Sequence, residues 1–312
     1  MAFTAVSNYS GKAAGFYISA ALQSVVSLDY LTMIENIKLQ SNIQVMDASV
    51  TPIAAATCDF TDAGTLALTE KVLTPANNQI NLDLCKATLL SSWEAMQMRA
   101  GAGAPPPASF DDYVISYMGE VIASATETSI WAGVANAGGD FIGFTGAGAA
   151  GWLRNGNDAT VQQAVLTGGA GVAPTAGTII ADIQAGLDAV PTAVIGKEDV
   201  YVFLNQRNYQ FYIQAVSTLG YMNAYNMNGD YEPRVNGYKI AVVNGLQNAA
   251  IVVGQKSQMF FGTDLLSDGF GTSPRIQLLD MANLDGSDNM RMVARYSAGT
   301  QTGIGADLVL VS

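Results

Sequence analysis

Hydrophobic residues in the last third of the chain, from Val200 on, fall in short β-branched or aromatic runs. These are YVFL (201–204), YKIAVV (238–243), AAIVVG (249–254), QMFFGTDL (258–265), RIQLLDM (275–281), MRMVARY (290–296) and ADLVLV (306–311). Gly, Asn, Asp or Pro bounds each run, which predicts one strand after another. Alternation also appears earlier. Ile43 and Val45, with Ala48 and Val50 beyond, lie on one strand, TLALTEKVLT (65–74) reads as a second, and QINLDL (79–84) puts Ile80, Leu82 and Leu84 on one face. DAG at 62–64 and PANN at 75–78 read as turns, so 43–85 is predicted to be a long antiparallel excursion. A two-stranded ribbon is marginal alone in water, and this one is expected to pack on something else.

Helical spacing interrupts the strands. Residues 1–45 read as a mostly uncharged leader with helical tendency, and LCKATLLSSWEAMQMRAG (84–101) carries Leu89, Trp93 and Met96 along one stripe. Gly101, Gly103 and Pro105 to Pro107 end that helix. The strongest helix follows, from 110 to about 132. Ser109 is its N-cap and Asp111 and Asp112 lie in its first turn. Phe110, Val114, Tyr117, Met118, Val121, Ile122, Ala125 and Trp131 are its apolar positions. At 1.5 Å per residue it is a spine of about 35 Å. A Gly/Ala-rich irregular stretch (133–177) precedes two further helices, 178–191, stopped by Pro191, and 205–219. The order is arm, ribbon, helix pair, then mixed α+β.

Composition sharpens this picture. The chain has 312 residues, 49% of them hydrophobic, enough for two cores or one large one. Charged residues are only 13%, about half the usual share. That fits either a Gly/Ala-rich makeup or a surface covered by neighbouring copies, since interface cores are poor in charge. The net charge of −12, without a Lys/Arg cluster, disfavours a groove that reads nucleic acid, while an acidic wall would not stick to it. Cys58 and Cys85 match no metal spacing and read as reduced, semi-buried thiols. The stretch 12–28 lacks a cleavage site and reads as a short helix or arm; no apolar run is long enough to span a membrane.

Candidate chemistry is sparse. Gly146, Gly148 and Gly151 satisfy G-x-G-x-x-G, but Asn155, Gly156 and Asn157 break any helix behind them and no ribose-binding acid follows; the reading is a flexible loop. NLDGSDN (283–289) lacks calcium-loop spacing and reads as a turn between strands. Asp264, Asp268, Asp280 and Asp285 could supply paired acids, yet all fall at strand ends or turns. With no histidine, the chain lacks the usual acid/base near neutral pH. Of the methionines, Met290 and Met292 read as core filler, and Met222 and Met227 as either filler or contact surface. The expectation is a non-enzyme with no catalytic, cofactor-binding or metal-binding residues.

The succession of segments resembles the major capsid proteins of tailed bacteriophages with the Hong Kong 97-like fold, and looks closest to those of crAss-like and related Bacteroidetes phages. The segments are LTEKVLTPANNQINLDLCKATLLSSWEA (68–95), SIWAG (129–133), ADIQAGLDAVP (181–191) and DVYVFLNQRNYQFYIQAV (199–216). NGYKIAVVNGLQNAAIVVGQKSQMFFGTDLLSD (236–268) and IQLLDMANLDGSDNMRMVARYSAGTQTG (276–303) complete them. They cover well over half the chain; the leader 1–42 and the stretch 133–177 depart from the pattern.

The resemblance implies an α+β fold with an N-terminal arm (1–42) and an extended β-hairpin loop (43–85) that reaches over a neighbouring subunit. It further implies a peripheral domain (86–132 and 258–312) built on the spine helix, and an axial domain (133–257). Some members cross-link a loop lysine to a neighbour's asparagine; Lys71 lies in the matching segment, but no partner or catalytic acid is identified, so that chemistry is not carried over. The implied function is structural: self-assembly through pentamers and hexamers into an icosahedral shell around double-stranded DNA, without sequence-specific binding. Gly101 and Gly103 would act as hinges. Portal, scaffold and decoration proteins are the further candidate partners, no membrane is involved, and assembly is expected in the host bacterial cytoplasm. The alternative is an encapsulin-like nanocompartment housing a cargo enzyme.

Overall fold

Sixteen elements follow one another along the chain in the described residues. They are β1 (Thr32–Glu35), β2 (Ser41–Ala48), β3 (Leu66–Leu73), β4 (Ala76–Cys85), α1 (Phe110–Ala132), β5 (Gln162–Ala164), α2 (Ile179–Asp188) and β6 (Val200–Leu204). Then come α3 (Gln206–Thr218), β7 (Arg234–Val235), β8 (Tyr238–Val242), β9 (Ile251–Gln255), β10 (Met259–Thr263), β11 (Ile276–Asp280), β12 (Asn289–Thr302) and β13 (Val309–Val311). The computed structural model describes residues 25–37, 39–48, 56, 58, 66–85, 110–135, 140–147, 150–219, 234–264, 276–280 and 289–312. The class is α+β, as the pattern predicts.

A five-stranded sheet is organised around β12, whose 14 residues extend roughly 45 Å. On one edge β12 pairs antiparallel with β4, from Ala298 opposite Ala76 to Asn289 opposite Cys85. On the other it pairs with β10 and then β11, and β1 joins β10 in parallel. A six-stranded sheet runs β5-β13-β9-β6-β8-β7. Its strands β13, β9 and β6 are buried on both faces, which explains runs that are apolar throughout rather than alternating. Val200, Val202 and Leu204 of β6 face the cluster formed with Ile179, Ile183 and Leu187 of α2. Phe203, one residue out of phase, faces the other cluster with Trp131, Phe144 and Leu310.

Helix α1 ties these parts together. Met118, Ile122, Thr126 and Ile130 recur every four residues on its buried side, while Tyr117, Val121 and Ala125 are exposed. Near its end Trp131 is fully buried, with ring centroids 5.5 Å from Phe144 and 5.3 Å from Phe203. In α3, Asn205 caps the helix by accepting from the Asn208 N–H at 2.8 Å. The two-residue turn of the β7–β8 hairpin is Asn236 (φ 49°) and Gly237 (φ 89°), both left-handed, as that tight connection requires.

Several expectations need correcting. PANN is not a turn. Gln301 bonds to the Val72 carbonyl, Thr74 and Pro75 lie against Gly299, and Ala76 pairs with Ala298, so β3 runs on into β4 alongside β12. Pro75, which has no N–H to give, sits at the break between the two ladders. The helical leader is overturned where it is described: Val26–Tyr30 is one 3-10 turn, Thr32–Glu35 is a strand, and β2 begins at Ser41. Pairing of β1 with β10, far away in sequence, overrides local helical preference. Leu84 and Cys85 likewise end a strand rather than begin a helix. The thiols of Cys58 and Cys85 are exposed, not semi-buried. Residues 1–24, 86–109, Met222, Met227, Asp268 and Asp285 lie outside the described residues.

Candidate assembly interface

Alternation in residues 41–48 and 66–73 gives each strand of the ribbon two dissimilar faces. Antiparallel pairing from Ser41 opposite Leu73 to Ala48 opposite Leu66 forms, among the described residues, a sheet of two strands. Asn42 and Gln44 share one face with Leu68, Glu70 and Val72. On that face Leu68 is 52% exposed and Val72 39%. Within the ribbon, Asn42 donates to Glu70 and the Thr69 hydroxyl to the Val45 carbonyl. Backbone pairing and these bonds do not cover the apolar side chains.

The base of the ribbon is fastened to its own chain. Leu73 is fully buried, its methyls lying over Gly262 beside those of Ile37, and the Gln301 amide donates to the Val72 carbonyl at 2.8 Å. One position further out, the Lys71 ammonium forms an ion pair with Asp158 in the loop after α1. Asp158 also accepts from the Thr160 N–H at 3.0 Å and from the Thr160 hydroxyl. Burial alone would raise the Asp158 carboxyl. The bonds from Lys71 and Thr160 outweigh that, and its pKa lies below the ordinary value.

A second junction lies at Glu127, buried on the inner side of α1. Its carboxylate accepts from the Ser27 N–H and hydroxyl and from the Gly245 N–H, while the Trp131 indole donates to Ser27 Oγ at 2.7 Å. The 3-10 turn before β1, the spine helix and the turn after β8 thus meet at one acid. The sequence reading missed it. The available clue was a carboxylate four residues from both Ala123 and Trp131, on the apolar side of a helix.

Of the positions singled out for chemistry, the described acids Asp264 and Asp280 lie against separate parts of β12. Asp264 is buried at the end of β10 and accepts from the Ser297 N–H at 3.0 Å, and Asp280 belongs to β11. Turns, not a helix, follow Gly151, as the loop reading expects, and Gly148 is outside the described residues. The strands flanking 281–288 pair with each other, Asp280 opposite Met290. Met292 is fully buried core. Among the described residues no three His, Cys, Asp or Glu are grouped to hold a metal, and no helix is long and apolar enough to cross a membrane.

No protein-family model matches the sequence, and no curated protein does. Solved structures do match along nearly the whole chain. The satellite phage P4 procapsid, which includes the size determination protein, aligns over 95% of this chain and 89% of its own at 12% identity, with a TM-score of 0.58. A chain of Gordonia phage Cozz aligns over 92% and 85% at 12% identity and 0.56. The capsid of an empty GTA particle, computed with C5 symmetry, aligns over 92% and 89% at 12% identity and 0.55. At this identity the likeness shows the fold. The chain has the Hong Kong 97-like capsid fold.

Proposed function

We propose that this chain is a structural shell subunit, the major capsid protein of a tailed bacteriophage, which assembles through pentamers and hexamers into an icosahedral container for double-stranded DNA. The observation that carries the reading is the ribbon of β2 and β3, a two-stranded sheet with Leu68 and Val72 open to solvent. Such a sheet is marginal without cover, and a second copy of the same chain supplies it. The fold shared with phage procapsid and capsid chains supports this. The sparse charge supports it too, since surfaces buried between copies are depleted in charged residues.

In this reading residues 1–42 form the arm and 43–85 the extended loop, most of whose described part is the β2–β3 ribbon and β4. Residues 86–132 and 258–312 form the peripheral domain and 133–257 the axial domain, with β13 of the former range crossing over to lie between β5 and β9. The role is structural rather than enzymatic, carried out in the virion after assembly in the bacterial cytoplasm, with portal, scaffold or decoration proteins as further partners. The segments given above extend the proposal to a crAss-like or related phage. Negative-stain microscopy of the chain expressed alone tests it: shells or capsomer rings are expected, and a persistently monodisperse monomer would contradict it. Shells purified from infected cells that hold an enzyme and no genome would instead establish the nanocompartment.

A further inference from the structure

We propose that the Lys71–Asp158 ion pair is a latch that fixes the angle at which the ribbon leaves the body of the subunit. Lys71 is the point on β3 where ties to the body give way to ties within the ribbon. Leu73 and Val72 are held by Gly262, Ile37 and Gln301, whereas the bonds of Thr69 and Glu70 go to β2. A strand pair fixed only at its root can pivot there; a second attachment further out removes that freedom.

Both ends of the latch are prepared for the task. The side chains of Lys71 and Asp158 keep only 30% and 12% of their exposure, so water competes weakly for the pair. Asp158 is itself held by both Thr160 donors, and the neighbouring Asn157 amide donates to the Gly151 carbonyl at 3.2 Å. Arg154, on the same loop, donates to Ser312 Oγ at 3.1 Å and so fastens the loop to the C-terminal strand. Gly305 backs the acid: a Cβ there would press on the Asp158 carboxylate and the Thr160 hydroxyl and displace them. The acid is therefore a fixed post and the lysine the movable end. A shell subunit that occupies several environments needs its ribbon at more than one angle, and opening this pair changes the angle without remaking either core.

The latch belongs to the single chain and does not rest on the shell reading. Its test is a distance measurement. Cys58→Ser with Gln44→Cys leaves one thiol on the exposed side of the ribbon and the native exposed Cys85 at the end of β4 on the body. Nitroxides on both, with the labelled chain diluted into unlabelled chain, report the ribbon angle by electron spin resonance. The parent is expected to give one narrow distance. Lys71→Met and Asp158→Asn are expected to lose it, Lys71→Arg to keep it, and Lys71→Asp combined with Asp158→Lys to regain it. An unchanged narrow distance in the folded Lys71→Met protein would overturn the proposal. That variant leaves the Asp158–Thr160 bonds in place, so it decides the matter even if Asp158→Asn does not fold. Absence of shells in microscopy would leave this result untouched.

Discussion

Glu127 presents the sharpest contrast between what a residue is and where it sits. A carboxylate at 6% exposure is tolerable because its oxygens meet three donors, two from Ser27 and one from Gly245. Replacing it with leucine would leave the Ser27 and Gly245 donors unpaired in a closed site. A loss of about 2–4 kcal/mol is expected, measured by denaturant unfolding of the dissociated subunit. Asp158 and Asp199 make a separate prediction about pH. At Asp199 burial raises the carboxyl, but bonds from Ser257 and Gln255 and the charge of Lys197 prevail, so its pKa, like that of Asp158, is lowered. A depressed carboxylate adds stability that is complete above its unfolded pKa of about 3.9 and is lost as pH falls through the folded value. Thermal midpoints should therefore be flat from neutral pH to about pH 5 and fall below about pH 4. The fall should be shallower in Asp158→Asn. The partners Ser27 of Glu127, Lys71 of Asp158 and Ser257 of Asp199 were illegible in sequence because each lies far away along the chain; the Asp158–Thr160 contact, by contrast, is local.

At the scale of elements, strands and helices were largely legible because their periods differ. The spine helix falls where its apolar spacing places it, and α2 and α3 lie within a residue or three of their predicted ends. What the sequence could not give was pairing. PANN carries the letters of a turn, yet β12 offers a continuous edge and the chain follows it. NGY at 236–238 held a hairpin signal that the reading passed over, since β7 has only two residues. The ribbon yields the prediction proper to this scale. Joining Ser41 to Val72 by a short Gly-Ser turn removes the two-stranded sheet while sparing both cores. The thermal midpoint should stay within a few degrees of the parent, and shells should disappear from micrographs. A large drop in midpoint would mean instead that the ribbon stabilises its own body.

At the scale of the whole molecule, the described residues put their apolar weight in two cores and leave the outer part of the ribbon, with Leu68 and Val72, uncovered. In the proposed shell few charges would be available to hold copies together, so cohesion would come from apolar and hydrogen-bonded contacts. Shells should accordingly persist in about 1 M salt, where surface ion pairs are screened within about 3 Å; light scattering checks this. The α+β class was legible in the sequence because strand runs and helical stretches carry distinct periods, whereas the Hong Kong 97-like fold entered through the resemblance of segments. The most direct test of the account is hydrogen exchange at residues 41–48 and 66–73, compared between dissociated subunits and assembled shells. Strong additional protection of both strands in the shell is expected. Equal exchange in the two states would show that no neighbouring copy covers the ribbon, and the account would fail.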